Sequence, residues 1–322
     1  MKIVDLFRNI LSKRNNQKAL CSPEEKYEQM SSSIDGIELS KMLMDSITPI
    51  LKDRRQQYGN QDVYNYPLQT KISVADTGEL VKKFFSQVDA DLYEKVCDID
   101  NGISQYATID RNYRGMQGFT SNPSQLPVTI SIPIFGDLRQ LYVAVHEMTH
   151  SFDVENGDNT TRKILGEIAP QCMERLLDDF LLNLSDDEMK KYGFDNEMLK
   201  QDVLARKMST FYDRLRLTEN LYNGTENKEK CLRYMLAQIC STHFCLHEKN
   251  NGKEKLKTFI KHVQDDDFDG ACQCFGMQID KSNKLQRNNY VRETVSAAEA
   301  LINPPQRVGD VARGTPEKQQ ER

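Results

Sequence analysis

Five consecutive residues, HEMTH at 146–150, place two imidazoles four positions apart, with a carboxylate directly after the first. On a helix, side chains four apart stand on one face with Cβ atoms about 5–6 Å apart. His146 and His150 can therefore reach one ion, while Glu147 is turned about a quarter of the way round the axis. A zinc ion in a catalytic site takes about three protein ligands, keeps one position open and lowers the pKa of its water to roughly 7. Glu147 would stand beside that water rather than on the ion, in place to take its proton. The chemistry of such a set is metal-assisted hydrolysis with one Zn2+.

Two ligands from one helix need a third from elsewhere. Glu167 lies in GEIAPQCMERLLDDF, 17 residues after His150. Pro170, just beyond it, removes a backbone donor and starts or kinks a helix at that carboxylate. Glu174 falls on the same helical face as Glu167. It either holds a ligand imidazole from behind, as metal-bound histidines require, or it is a solvated charge paired with Arg162 or Arg175. Asp153, Glu155 and Asp158 are rival third ligands, but each sits so close to His150 in the chain that it would have to fold back sharply.

The elements that must position these groups are legible in the patterning. PLQTKISVAD, QYATID and PVTISIPIF have the alternation and β-branched content of strands. ELVKKFFSQVDADLYEKV between them has helical period. From Asp137 the pattern is helix after helix, over 137–155, 161–183, 196–221, 226–249, 253–264 and 282–301, with breaks at NGDN, YGFDN, YNGT and KNNG. The expected fold is mainly α with a small antiparallel β-sheet just before the HEMTH helix. The expected organisation is an N-terminal helical segment over 1–65, a domain over 66–303 and a polar, disordered tail over 304–322. No internal repeat is visible.

Composition narrows the function classes. At 38% hydrophobic, 28% charged and a net charge of −5, the 322 residues offer no basic face for nucleic acid or an anionic membrane. No run approaches the roughly 18 apolar residues of a membrane span. The opening MKIVDLFRNILSKR, interrupted by Asp5, Arg8 and Asn9, lacks the apolar stretch of a signal peptide. Eight cysteines without a CxxC pair read as reduced thiols, which implies a cytoplasmic setting. Cys240, His243 and His247 share one face of CSTHFCLH, but on an amphipathic helix such groups serve as packing or surface residues more often than as a second metal site. No pattern sets an oligomeric state.

The stretch VAVHEMTHSFD…GEIAPQCMERLLDDF resembles the catalytic core of the thimet oligopeptidase and oligoendopeptidase F family of zinc peptidases. Those proteins follow HExxH with a helix of the form E-x-P-S-Q-x-x-E, matched here by Glu167, Pro170, Gln171 and Glu174 with the proline shifted one place. The resemblance implies a zincin-like metallopeptidase domain in which His146, His150 and Glu167 bind zinc and Glu147 is the general base. DRNYRGMQGFTSNPSQLPVTISIPIFGDLRQLYVAVHE is similar to the family's glycine-containing segment and strand. That likeness implies that residues 127–133 form an edge able to pair with an extended peptide or oligopeptide substrate. CLRYMLAQICSTHF is similar to the family's helix whose tyrosine donates to the carbonyl oxygen under attack, and Tyr234 is the matching position. Read on its own, Tyr234 is equally a core tyrosine of an amphipathic helix. The likeness covers roughly residues 70–280.

The departures bear on activity. The family's histidine and glycine-tyrosine pair before that tyrosine is replaced by LYNGTENKEKC, where Tyr222 is the one candidate donor. The spacing between HEMTH and Glu167 is shorter than the family's. Only about 70 residues precede the likeness, too few for the long helical wall that restricts the family to short peptides. The expected function is a zinc-dependent endopeptidase. Two rivals stand beside it: a non-catalytic descendant that grips metal or peptide, and a protease dedicated to one folded partner.

Overall fold

The computed structural model describes residues 68–275 apart from 122, 123, 125, 158, 224–227 and 248–251, together with Asn289, Arg292, Glu293 and Ser296. The side chains of residues 211–229, 231, 232, 235, 243 and 245–247 are also outside the description. The expected N-terminal segment over 1–65, most of the expected helix over 282–301 and the expected tail over 304–322 lie outside the described residues. Two helices open the described part, α1 (Val74–Val88) and α2 (Ala90–Asp100). Asp89 separates them by accepting from the amides of Asp91 and Leu92, which caps the second helix. The expected strand at PLQTKISVAD does not form. Lys71 makes only an isolated bridge to Asp137, and Ser73 caps α1 by accepting from the Asp76 amide, so SVAD begins a helix.

Three short strands follow: β1 (Ala107–Ile109), β2 (Phe119–Thr120) and β3 (Val128–Ser131). They form a mixed sheet in the order β1-β3-β2, with β3 parallel to β1 and antiparallel to β2. The expectation of an antiparallel sheet is thus corrected. The chain reverses on either side of β2, so β1 and β3 run the same way and pair directly. The expectation that residues 127–133 form an edge is corrected too, because β3 has a neighbour on both sides and β2 is the edge strand.

The remaining helices are α3 (Arg139–His150), α4 (Thr160–Leu165), α5 (Ile168–Leu182), α6 (Asp186–Tyr192), α7 (Asn196–Asn223), α8 (Lys228–His247), α9 (Gly252–Gln264) and α10 (Phe268–Cys274). The helix expected over 161–183 is broken at Gly166 and Glu167. A proline at 170 lacks the amide that would reach Gly166, and its ring would strike that carbonyl in a continuous helix. In the first turn of α5 the missing donor costs nothing. A side chain at Gly166 would come within 2.5 Å of the Arg162 carbonyl oxygen, so glycine is required where α4 turns into α5. The short helix α6, absent from the expected segments, starts with a capping box between Ser185 and Glu188 and ends at Gly193 in the left-handed region.

The core lies where α5 packs between α3 and α8, with α7 against α8. Phe84 and Phe85 of α1 meet the rings of Phe180 and Phe152 edge-on, at 5.7 and 5.2 Å. Edge-on aromatic pairs add about 0.5–1.5 kcal/mol beyond their buried area. The HEMTH helix is fixed on two sides: Gln140 donates to Thr77 of α1 at 2.8 Å, and the Tyr142 hydroxyl donates to Asp178 of α5 at 2.5 Å. Among the described residues no helix is long and apolar enough to cross a membrane.

Candidate metal centre

The last turn of α3 and the first residue before α5 meet at the base of a cavity of about 340 Å³. His146 Nε2 lies 3.2 Å from His150 Nε2 and 3.4 Å from Glu167 Oε2, and His150 Nε2 lies 3.7 Å from that same oxygen. A tetrahedral ion with ligands at about 2.0–2.1 Å has ligand-to-ligand edges of about 3.3–3.4 Å. The three donor atoms are therefore spaced as one ion requires. Glu167 Oε2 is buried and has no hydrogen-bond partner among the described residues, an arrangement that a cation would satisfy. Two imidazoles and a carboxylate are also the donor set that suits zinc.

The electrostatics favour positive charge at this point. Burial pulls His146 down, but the carboxylates of Glu167, 3.4 Å away, and Glu174, hydrogen-bonded to it, outweigh that and carry it up to about 10. Burial pushes the His150 pKa down to about 3, helped by the neighbouring charges of His146, Arg162 and Arg233. Glu167 is held well below the usual carboxylate range: burial works against its charge, and His150, His146 and Arg233 more than offset that. With no ion, the cluster keeps one proton on the imidazole that faces two carboxylates. His146, His150 and Glu167 are the residues that could hold a metal ion in place of that proton.

His146 is held from behind. Its Nδ1 lies 2.7 Å from Glu174 Oε1, and Arg206 of α7 donates to Glu174 Oε2 at 3.2 Å. A carboxylate on Nδ1 fixes the tautomer that turns Nε2 towards the ion and raises its basicity. Burial opposes the charge on Glu174, but Arg206 and His146 lower its pKa to about 2. Glu174→Gln preserves the volume and removes the charge. It is expected to weaken zinc binding about 10–100-fold, measured by competition with a chelator; an unchanged affinity would leave Glu174 no part in the site.

Glu147 points to a different group. Thr120 of β2 donates its hydroxyl to Glu147 Oε2 at 3.0 Å and to the Glu147 carbonyl at 3.0 Å. Burial raises the Glu147 pKa, against the lowering pull of His146 and the Thr120 hydrogen bond. Such a carboxylate is a stronger base than one in water. The backbone at Gly118 approaches this side chain closely: a Cβ there would lie 2.3 Å from Val143 Cγ1 and 3.1 Å from Glu147 Oε1. Glycine thus lets the edge strand lie directly over the HEMTH helix.

The other expected residues fall as follows. Tyr234 is half-buried and lines the cavity with its neighbour Arg233. The side chains of Tyr222, His243 and His247 are outside the described residues, as is Asp158. Asp153 accepts from Arg162 Nε at 2.7 Å, and Glu155 pairs with Lys95, so neither rival reaches the cluster. Arg162 pairs with Asp153 rather than with Glu174. Cys240 and Cys272 are buried thiols, and no disulfide joins the described cysteines. Reading the residues in order missed Thr120, Gly118, Arg206 and Arg233. None of them stands at a diagnostic spacing from HEMTH, although GFT at 118–120 lies within the segment that carries the family likeness.

No family model matches the chain, and no curated protein matches it. Among solved structures, it is similar to a crystal structure of a candidate peptidase from Chlamydophila abortus, with a TM-score of 0.51 and 14% identity. The similarity covers 84% of this chain and 56% of that one, so the chain spans little more than half the neighbour's length. Likeness at this identity shows a shared fold.

Proposed function

We propose that this protein is a zinc-dependent peptidase with a zincin-like catalytic domain. The observation that carries this reading is the triangle of His146, His150 and Glu167, whose edges of 3.2, 3.4 and 3.7 Å match the spacing around one ion. The fold of the Chlamydophila abortus neighbour, a candidate peptidase, supports it. His146, His150 and Glu167 would hold the zinc ion, which would supply Lewis-acid polarisation of a carbonyl and acidify water.

The chain's own residues do the rest. Glu147, buried and oriented by Thr120, accepts the proton of the attacking water and passes it to the leaving amine. Glu174 holds His146 in the tautomer whose Nε2 accepts the ion. Tyr234, on the cavity wall, donates to the developing oxyanion, a contact worth about a hundredfold or more in rate. Backbone hydrogen bonds alternate along an antiparallel strand. The Ser121 amide donates to the Thr129 carbonyl at 2.9 Å, so the main-chain groups of Gly118 and Thr120 face away from β3. That outer edge of β2 is where an extended peptide adds as a further strand above Glu147.

A panel of quenched peptides incubated with the zinc-loaded protein, with and without chelator, tests the reading. Cleavage that stops with chelator and returns on adding zinc is the expected result. A protein that holds zinc and cuts no peptide would instead be the non-catalytic binding module.

A further inference from the structure

We infer that the HEMTH cavity takes peptides bearing a carboxylate close to the bond under attack, and that the Arg233 guanidinium receives that carboxylate. This rests on the peptidase reading above and names its substrate class. The cavity lining carries three cationic side chains, Arg162, Lys163 and Arg233, against two carboxylates, Glu147 and Glu167. A divalent ion on Glu167 shifts the balance further towards positive charge. Such a cavity draws in an anion.

Among these cations Arg233 has the donors to spare. Arg162 is engaged by Asp153 at 2.7 Å and by the His150 carbonyl at 3.3 Å. Arg233 comes no nearer than 3.8 Å to Glu167 Oε1, beyond hydrogen-bonding reach, and its Nε has no partner among the described residues. The side chain is 35% exposed and sits on the cavity wall beside Tyr234. A guanidinium offers five N–H donors in a planar fork that matches a carboxylate with two parallel bonds. Held partly out of water, that pairing is stronger than on an open surface. The carboxylate is either the peptide's C-terminus or an acidic side chain, since both present the same group.

The alternative role for Arg233 is to steady Glu167, and the two roles separate experimentally. Peptide pairs differing only in Glu against Gln, or in a C-terminal acid against the amide, are compared on zinc-loaded wild type and Arg233→Gln. Cleavage is followed by mass spectrometry, and binding by fluorescence anisotropy of labelled peptides. Wild type is expected to favour the carboxylate member by about 10- to 100-fold in Kd and KM, with kcat little changed. Arg233→Gln, loaded with zinc, is expected to bind and cut both members alike. The pair that discriminates, Glu/Gln or acid/amide, identifies the source of the carboxylate. Equal treatment by wild type, a preference that survives in Arg233→Gln, or a variant that loses zinc and both peptides together would overturn the assignment. Carboxylate-selective binding without cleavage would sink the peptidase reading and leave this one standing. Cleavage without selectivity would do the reverse.

Discussion

Glu167→Ala is expected to strip the zinc from the protein. Elemental analysis should find about one zinc per wild-type chain and a small fraction of that in the variant. The reason is geometric. His146 and His150 occupy one side of the site, and the carboxylate before α5 is the described group that closes the triangle. Removing an outer partner of a metal ligand costs about 10–100-fold in affinity, and loss of a ligand itself costs more. A second readout follows from linkage. Zinc at a hundred times its Kd stabilises the protein that binds it by about 2.7 kcal/mol. Adding zinc should therefore raise the Tm of the wild type and leave that of Glu167→Ala unmoved. Unchanged zinc content would remove Glu167 from the ligand set.

Glu147→Gln should give the opposite pattern, full zinc and almost no turnover. Glutamine fills the same space, still accepts the Thr120 hydroxyl and leaves the three ligands untouched. It has no basic oxygen to take up a proton. General-base catalysis contributes about 10²–10⁴-fold, so kcat should fall by about a thousandfold while metal content and melting behaviour stay level. Peptide binding should survive, which makes this variant suited to trapping a substrate. A variant that turns over at the wild-type rate would reject Glu147 as the base.

The two variants dissect one helix turn and its partner. Loss of metal with Glu167→Ala and loss of chemistry alone with Glu147→Gln together separate holding the ion from moving the proton. If neither the wild type nor the two variants hold zinc, the cluster is an ion-pair network among buried side chains. His146 bonded to Glu174 and Glu174 to Arg206 would then serve stability alone.

Local order alone settled a good deal here. Four-residue spacing puts His146 and His150 on one face and turns Glu147 aside, whatever the rest of the chain does, because helical periodicity is a property of neighbouring residues. The proline at 170 likewise marks the start of α5 through its own missing amide. The long helices after residue 137 followed from the same periodicity. Packing decided everything that joins distant segments. Glu167, and not Asp153 or Glu155, closes the triangle because α5 lies against α3, while Arg162 and Lys95 take the two rivals. Thr120 reaches Glu147 across 27 residues, and Arg206 reaches Glu174 across 32, at separations no repeat encodes. The sheet's order, with β3 in the centre and β2 at the edge, depends on which strand edges meet after the chain has reversed twice. Alternating side chains cannot record that, since a strand reads the same at the centre of a sheet as at its rim.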